Sequence, residues 1–229
     1  MKTAQEYQKR LQRHLDELKW LYCELYPGRE DMFTQLCEQM EAWYQERPES
    51  EKKLDREREQ EPAWYSRQDM LGMMLYIDAF AGNLKGVKKK LPYLEACNVN
   101  YLHLMPFLDT PKGKSDGGYA VADYRKVQPA LGTMEELASL CSACHEKKMS
   151  VCMDFVMNHT SEDHEWAKRA LAGEKEYQDR YFFYDTPDIP QEFEKTVPQV
   201  FPTTAEIPVF LFAEKRIFSV SGRYLTGIR

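Results

Sequence analysis

The sequence has no long apolar run. None of its stretches approaches the roughly 18 uninterrupted apolar residues that a membrane-spanning helix needs. Residues 1–16 alternate charged and polar side chains and hold no apolar segment of the kind a secretory leader requires. We therefore predict a cytoplasmic protein with no membrane contact.

Basic residues are outnumbered. The 229 residues include 31 Lys and Arg against 37 Asp and Glu, a net charge of −6. Nucleic-acid binding relies on clustered Lys and Arg, so we expect no nucleic-acid partner. The chain has six cysteines, and without a leader these are expected to be reduced thiols and not a disulfide framework.

Cofactor and metal motifs are weak. The string Cys141-Ser142-Ala143-Cys144-His145 matches a haem-attachment pattern, but it falls inside a predicted helix, where a structural role is expected. His159, Asp163 and His164 are close in sequence but lack the spacing of zinc ligands. We expect no cofactor and no metal. Asp163 is predicted to cap a short helix, with His164 exposed in its first turn.

The first part of the chain has helical periodicity. Apolar residues recur every three or four positions from Tyr7 to Leu25 and from Met32 to Trp43, and a charge-rich stretch runs from Glu49 to Glu61. We predict a helical bundle over residues 1–66.

After Trp64, short apolar runs alternate with helical segments. The runs at 73–77, 101–105 and 149–153 predict strands. A helix is predicted from Leu84 to Cys97, with Pro92 as a kink or a boundary. Thr133 and Glu136 form a capping-box pattern at the start of another helix. This order indicates an α/β fold with parallel strands, either a barrel or an open sheet, in which chemistry gathers at the carboxyl ends of the strands.

Two polar motifs follow the second and third predicted strands. Residues 115–124 read SDGGYAVADY, and residues 154–160 read DFVMNHT. The Gly-Gly turn presents Tyr119, on whose ring a sugar could stack, and Asp116 and His159 can hydrogen-bond hydroxyl groups. The residues alone leave open a second interpretation, a loop tyrosine with a hydrogen-bond network at the strand ends.

These motifs resemble signature segments of the α-amylase superfamily, glycoside hydrolase family 13. The first resembles its D-x-x-x-Y segment with the following D-Y, and the second its D-x-x-x-N-H region. The Ser-Asp-Gly-Gly-Tyr form, the continuation from His159 toward Trp166 and the helical N-terminal part are most similar to the amylosucrase branch. The resemblance implies a (β/α)8 barrel that takes the glucosyl unit of sucrose, with retention, and passes it to an α-glucan or to water.

The resemblance also implies roles for individual residues. Tyr119 would stack under the glucosyl ring, His159 would bond its hydroxyl groups, and Asp116 would close the end of the pocket through an ion pair with an arginine. The supporting positions would be Asp123, Asp154, which orients an arginine, and Asn158. No residue of this chain is assigned as catalytic.

The chain departs from the family pattern in length. The family's nucleophile and acid/base follow the fourth and fifth strands, and a whole barrel takes about 250 residues, more than the stretch from Met73 to Arg229 provides. We predict residues 67–156 as the first three βα units of an incomplete barrel, 157–204 as part of an inserted loop domain, and 205–229 as a divergent tail. The tail is interpreted as a frameshift, or alternatively as an authentic end in which Val209 to Phe212 form a strand.

Three functional hypotheses follow. In the first, the chain is an amylosucrase-like piece that is inactive alone, binds sucrose or α-glucan in the whole enzyme, and self-associates through its open strand edge. In the second, it is a non-catalytic sugar- or partner-binding protein built on a partial barrel. In the third, a small enzyme uses Asp78, Asp116 and Asp154 with a divalent metal.

Overall fold

The chain divides into two units, Met1–Gln68 and Asp69–Arg229. The computed structural model describes residues 2–113, 115, 117–157 and 159–184, and short stretches at 188, 192, 195–196, 212–213, 216–218, 220–221 and 224–226. In the part of the chain described, none of the helices combines the length and apolarity that crossing a membrane requires.

The first unit is helical. Its elements are α1 (Lys2–Leu25), α2 (Glu30–Glu46), α3 (Glu49–Gln60) and a 3-10 turn (Trp64–Ser66). The structure confirms the helices predicted over the two periodic stretches and places a third helix on the charge-rich stretch. The turn after α1 contains Gly28 at φ +76°, a left-handed conformation that glycine adopts without steric cost.

The helices of the first unit are joined by a small apolar core and by ion pairs. Tyr7 and Phe33 are buried, and the Tyr7 hydroxyl donates to the carbonyl of Cys37 over 2.9 Å. The charge-rich α3 has few apolar residues to bury. Its Arg56 instead forms an ion pair with Glu6 of α1 at 3.0 Å.

The second unit alternates strands and helices. In chain order its elements are β1 (Gly72–Leu75), α4 (Ile77–Ala81), α5 (Leu84–Lys89), α6 (Leu91–Ala96), β2 (Tyr101–Leu104), β3 (Leu108–Asp109), β4 (Asp123–Val127), α7 (Met134–Glu146), β5 (Ser150–Met153), β6 (His159–Ser161), α8 (Glu165–Leu171), α9 (Lys175–Gln178), β7 (Phe183–Tyr184), β8 (Phe212–Ala213), β9 (Arg216–Phe218), β10 (Val220–Ser221) and β11 (Tyr224–Thr226).

The central sheet is parallel, in the order β1-β2-β5, with Leu75 opposite Leu104 and Leu104 opposite Met153. These are the three strands predicted from the apolar runs. Leu102 and Leu104 of β2 are fully buried in one cluster with residues of α5, α6 and α7. The helices therefore cover one face of the sheet, as in the first turns of an incomplete (β/α)8 barrel.

Two details of the helices depend on backbone hydrogen bonding. The helix predicted over 84–97 is divided into α5 and α6 at Lys90, and Pro92 lies in the first turn of α6, where no N–H is needed. At the start of α7, the Thr133 hydroxyl accepts a hydrogen bond from the amide of Glu136 over 3.3 Å. The predicted cap is confirmed.

The segment between β2 and α7 is not purely a loop. It contains β3 and β4, which pair antiparallel. The haem-like string lies inside α7, where burial raises the pKa of the Cys144 thiol to about 12. None of the six cysteines, all of which lie among the described residues, forms a disulfide bond.

Two further sheets, each with three antiparallel strands, contain the remaining described strands. β9 lies between β7 and β8, and β11 lies between β10 and β6. Of the predicted strand from Val209 to Phe212, Phe212 belongs to β8. Residues 209–211 lie outside the described part of the chain.

Candidate functional site

The two polar motifs meet beyond the carboxyl ends of β2 and β5. The turn in the first motif has both glycines at positive φ, +59° for Gly117 and +88° for Gly118. A Cβ atom on Gly118 would lie 2.8 Å from the carbonyl oxygen of Pro106, just after β2. Glycine is therefore needed at 118 for the turn to pack against the end of this strand.

The side chains of Tyr119 and Asp154 link the motifs. The Tyr119 hydroxyl donates to the Asp154 carboxylate oxygen Oδ2 over 2.9 Å. Asp154 directly follows β5, and its amide continues the sheet by donating to the carbonyl of Leu104. The carboxylate therefore fixes the edge of the Tyr119 ring relative to the parallel sheet.

His159 holds the same segment through the main chain. Its Nε2 lies 3.2 Å from the carbonyl oxygen of Tyr119, so the imidazole donates from this nitrogen. Tyr119, Asp154 and His159 are thus brought together, and all three are partly buried. The roles that the resemblance implies for them toward a sugar stay predictions.

The protonation of this cluster follows from its contacts. The hydrogen bond to Asp154, and then burial, raises the pKa of Tyr119 to about 12, so the phenol is a neutral donor at pH 7. Burial lowers the pKa of His159, and its bond to the Tyr119 carbonyl offsets part of this. The site therefore presents a phenol ring and a neutral imidazole, groups suited to binding an uncharged polyol.

Tyr124 is a site residue to which the sequence analysis assigned no role. Its hydroxyl donates to the carbonyl of Val156 over 2.6 Å and lies 3.0 Å from the carbonyl of His159. Its ring packs against Phe155 and His164. Tyr124 thus spans both sides of the turn that leads into His159. Its position in the D-Y pair of the first motif is the sequence feature that could have identified it as a site residue.

The remaining predicted residues divide into two groups. The Asp123 carboxylate makes local contacts, accepting from the amide of Arg125 at 2.9 Å and pairing with Lys126 at 3.0 Å. These contacts lower the pKa of Asp123. Its supporting role stays a prediction, and Asp116 and Asn158 lie outside the described residues.

The predicted cap of α8 was wrong. His164, not Asp163, is the N-cap: its Nδ1 accepts from the amide of Trp166 over 3.1 Å, and the residue is only 8% exposed. The amide of Asp163 instead donates to the hydroxyl of Ser161. Within the described ranges, no three His, Cys, Asp or Glu side chains converge as metal ligands would.

The capping role of His164 predicts an acid-sensitive second unit. Nδ1 can accept only while the imidazole is neutral, and burial lowers the pKa of His164 below 6.5. The unfolded state then binds the proton more readily. Stability is therefore complete above about pH 6.5 and falls as the pH drops below it, by about 1.4 kcal/mol per unit of pKa difference. His159 contributes in the same direction.

The variant His164→Asn tests this prediction, since asparagine caps helices and does not titrate. Urea unfolding would be followed by the indole NMR signal of Trp166, the one tryptophan after residue 68. We expect the loss of stability between pH 7.5 and 5.5 to be smaller in the variant. An unchanged loss would exclude His164 as a source.

A comparison with known protein families identifies the family of this chain. The family model of the α-amylase catalytic domain matches residues 37–216. The chain belongs to the α-amylase family, glycoside hydrolase family 13. The match includes both polar motifs, residues 115–124 and 154–160, so the hydrogen bonds joining Tyr119, Asp154 and His159 link two motifs of an α-amylase family protein.

The chain is also similar in sequence to individual curated proteins. The trehalose synthase of Thermus thermophilus is 36% identical over 135 residues, which are 56% of this chain and 13% of that protein. The trehalose-6-phosphate hydrolase of Bacillus subtilis (strain 168) is 39% identical over 103 residues, 44% of this chain and 18% of that protein. The chain thus spans less than a fifth of each of these curated relatives.

A solved structure supports the fold. The isomaltulose synthase SmuA from Protaminobacter rubrum superposes with a TM-score of 0.57 at 24% identity, covering 69% of this chain and 29% of that one. At this level of identity the similarity concerns the fold, an α-amylase family barrel of which this chain holds a part.

Proposed function

We propose that the chain supplies the glucosyl-binding wall of an amylosucrase-like enzyme, which transfers α-glucosyl units from sucrose to an α-glucan or to water. The observation that carries this proposal is the pair of hydrogen bonds joining Tyr119 to Asp154 and His159. They hold one aromatic ring in a fixed orientation at the carboxyl ends of the strands, where family barrels bind substrate.

The choice of sucrose rests on the Ser-Asp-Gly-Gly-Tyr string and its similarity to amylosucrases. The relatives' names support a neighbouring substrate class, because they describe a trehalose synthase and a trehalose-6-phosphate hydrolase. Trehalose and sucrose are both disaccharides that contain α-linked glucose. We also propose that the enzyme works in the cytoplasm, with sugars as its partners and no nucleic acid.

We further propose that the 229 residues alone bind sucrose without converting it. Retaining transfer needs two carboxyl groups about 5–5.5 Å apart, one as nucleophile and one as acid/base. The Tyr119 hydroxyl engages the Asp154 carboxylate, and the Asp123 carboxylate pairs with Lys126. The resemblance assigns neither of them as nucleophile or acid/base. Self-association through the open edges of the parallel sheet belongs to the same proposal.

Ligand-observed NMR of the purified chain with sucrose tests the binding proposal. We expect weak binding that Tyr119→Ala lowers about tenfold or more and that Tyr119→Phe, which keeps the ring, retains in part. The control is Tyr65→Ala, because Tyr65 is 66% exposed and lies in the first unit. Maltose and trehalose as competitors would show which α-glucoside the wall prefers.

Two results would contradict the proposal. Binding that is equal in the parent chain and in Tyr119→Ala would remove Tyr119 from the site. Release of fructose from sucrose by the purified chain, abolished by Tyr119→Ala, would show that these residues suffice for chemistry.

A further inference from the structure

Tyr76 lies beside the Gly117–Gly118 turn, although it belongs to neither motif. It directly follows β1 and is the N-cap residue of α4. A Cβ atom on Gly117 would lie 3.1 Å from the Tyr76 hydroxyl and 3.4 Å from the Tyr119 ring. The glycine turn therefore touches both phenols, which form one surface at the ends of the strands.

The two phenols differ in what their hydroxyl groups do. The Tyr119 hydroxyl is engaged by Asp154. Tyr76 is 40% exposed, and its hydroxyl donates no hydrogen bond to any residue that the structure describes. The closeness of the phenols also contributes to the raised pKa of Tyr119. Tyr76 thus presents an accessible donor next to the ring proposed to stack on a sugar.

We propose that Tyr76 is a second sugar-contacting residue, whose hydroxyl hydrogen-bonds a hydroxyl of the pyranose ring stacked on Tyr119. The inference rests on the proposed function. It also gives Gly117 a steric role beyond its positive φ, because a side chain at this position would stand between the two phenols. The ligand class is the glucosyl unit of an α-glucoside.

The test compares sucrose dissociation constants of the parent chain and three variants, Tyr76→Phe, Tyr93→Phe and Tyr119→Ala. Tyr76→Phe removes one hydroxyl and keeps the ring. We therefore expect the sucrose dissociation constant to rise about two- to tenfold, which is the effect of losing one hydrogen bond. Tyr93→Phe is the matched control, because Tyr93 is 57% exposed on α6 of the same unit. It is expected to bind as the parent does.

The outcomes separate this inference from the proposed function. If Tyr76→Phe binds sucrose like the parent chain while Tyr119→Ala does not bind, Tyr76 is no sugar ligand and the proposed function stands. If the parent chain shows no sucrose binding, both fail. Ring signals of Tyr76, assigned by their absence in Tyr76→Phe, are expected to shift as sucrose is added. The Trp166 indole signal confirms that each variant is folded.

Discussion

Replacing Gly118 with alanine is expected to lower the free energy of unfolding of the second unit by about 3 kcal/mol and to abolish the sucrose binding proposed above. Two effects add. A non-glycine residue at φ +88° is strained by about 1–2 kcal/mol, and the new Cβ would press on the Pro106 carbonyl oxygen, which is main chain and cannot rotate away. Relief of the contact would displace Tyr119 from Asp154.

Gly113→Ala is the matched control. Gly113 also has positive φ, +71°, but a Cβ there would meet no atom of the described residues within 4 Å. It is therefore expected to show the conformational effect alone, about 1 kcal/mol. Urea unfolding followed by the Trp166 indole signal measures both variants. If Gly118→Ala and Gly113→Ala lowered the free energy of unfolding equally, the turn would not depend on close packing against Pro106.

The sequence predicted the strands well because a short apolar run bounded by polar residues is a local signal. Each run observed as β1, β2 or β5 lies within two residues of its predicted limits. Parallel pairing then places their carboxyl ends together, which is why Tyr119 and Asp154 could be expected at one edge of the sheet. The family motifs added the identity of the residues, which periodicity does not contain.

The contacts within the site could not be predicted in the same way. His159 bonds the main-chain carbonyl of Tyr119, and the position of that carbonyl depends on two positive φ angles in the preceding turn. A motif specifies side chains, whereas this contact depends on the path of the backbone. The same reason explains why Tyr76, which is distant in sequence, received no role.

The error at His164 shows how residue type can mislead. Aspartate is a preferred N-cap residue and histidine is not, so the sequence favoured Asp163. The backbone decides which residue stands at the cap, and here His164 has the extended conformation, φ −63° and ψ 140°, directly before Glu165. Burial between the rings of Tyr124 and Trp166 then keeps its imidazole neutral and able to accept.

Tyr124→Phe is expected to lower the free energy of unfolding of the second unit by about 1–3 kcal/mol. The ring contacts with Phe155 and His164 remain, but the carbonyls of Val156 and His159 lose the hydroxyl that lies within 3.0 Å of both. Tyr93→Phe, at an exposed position of the same unit, is expected to change stability by less than about 0.5 kcal/mol.

A second measurement separates positioning of the site from stability alone. If Tyr124 holds the turn that leads into His159, its loss should let water reach the imidazole, so the pKa of His159, lowered by burial, should rise toward 6.5. NMR titration of the His159 ring, assigned with His159→Gln, would detect this. A destabilised variant whose His159 titrates as in the parent chain would limit Tyr124 to packing. A raised pKa with weaker sucrose binding would make Tyr124 the residue that holds His159 in place for the sugar.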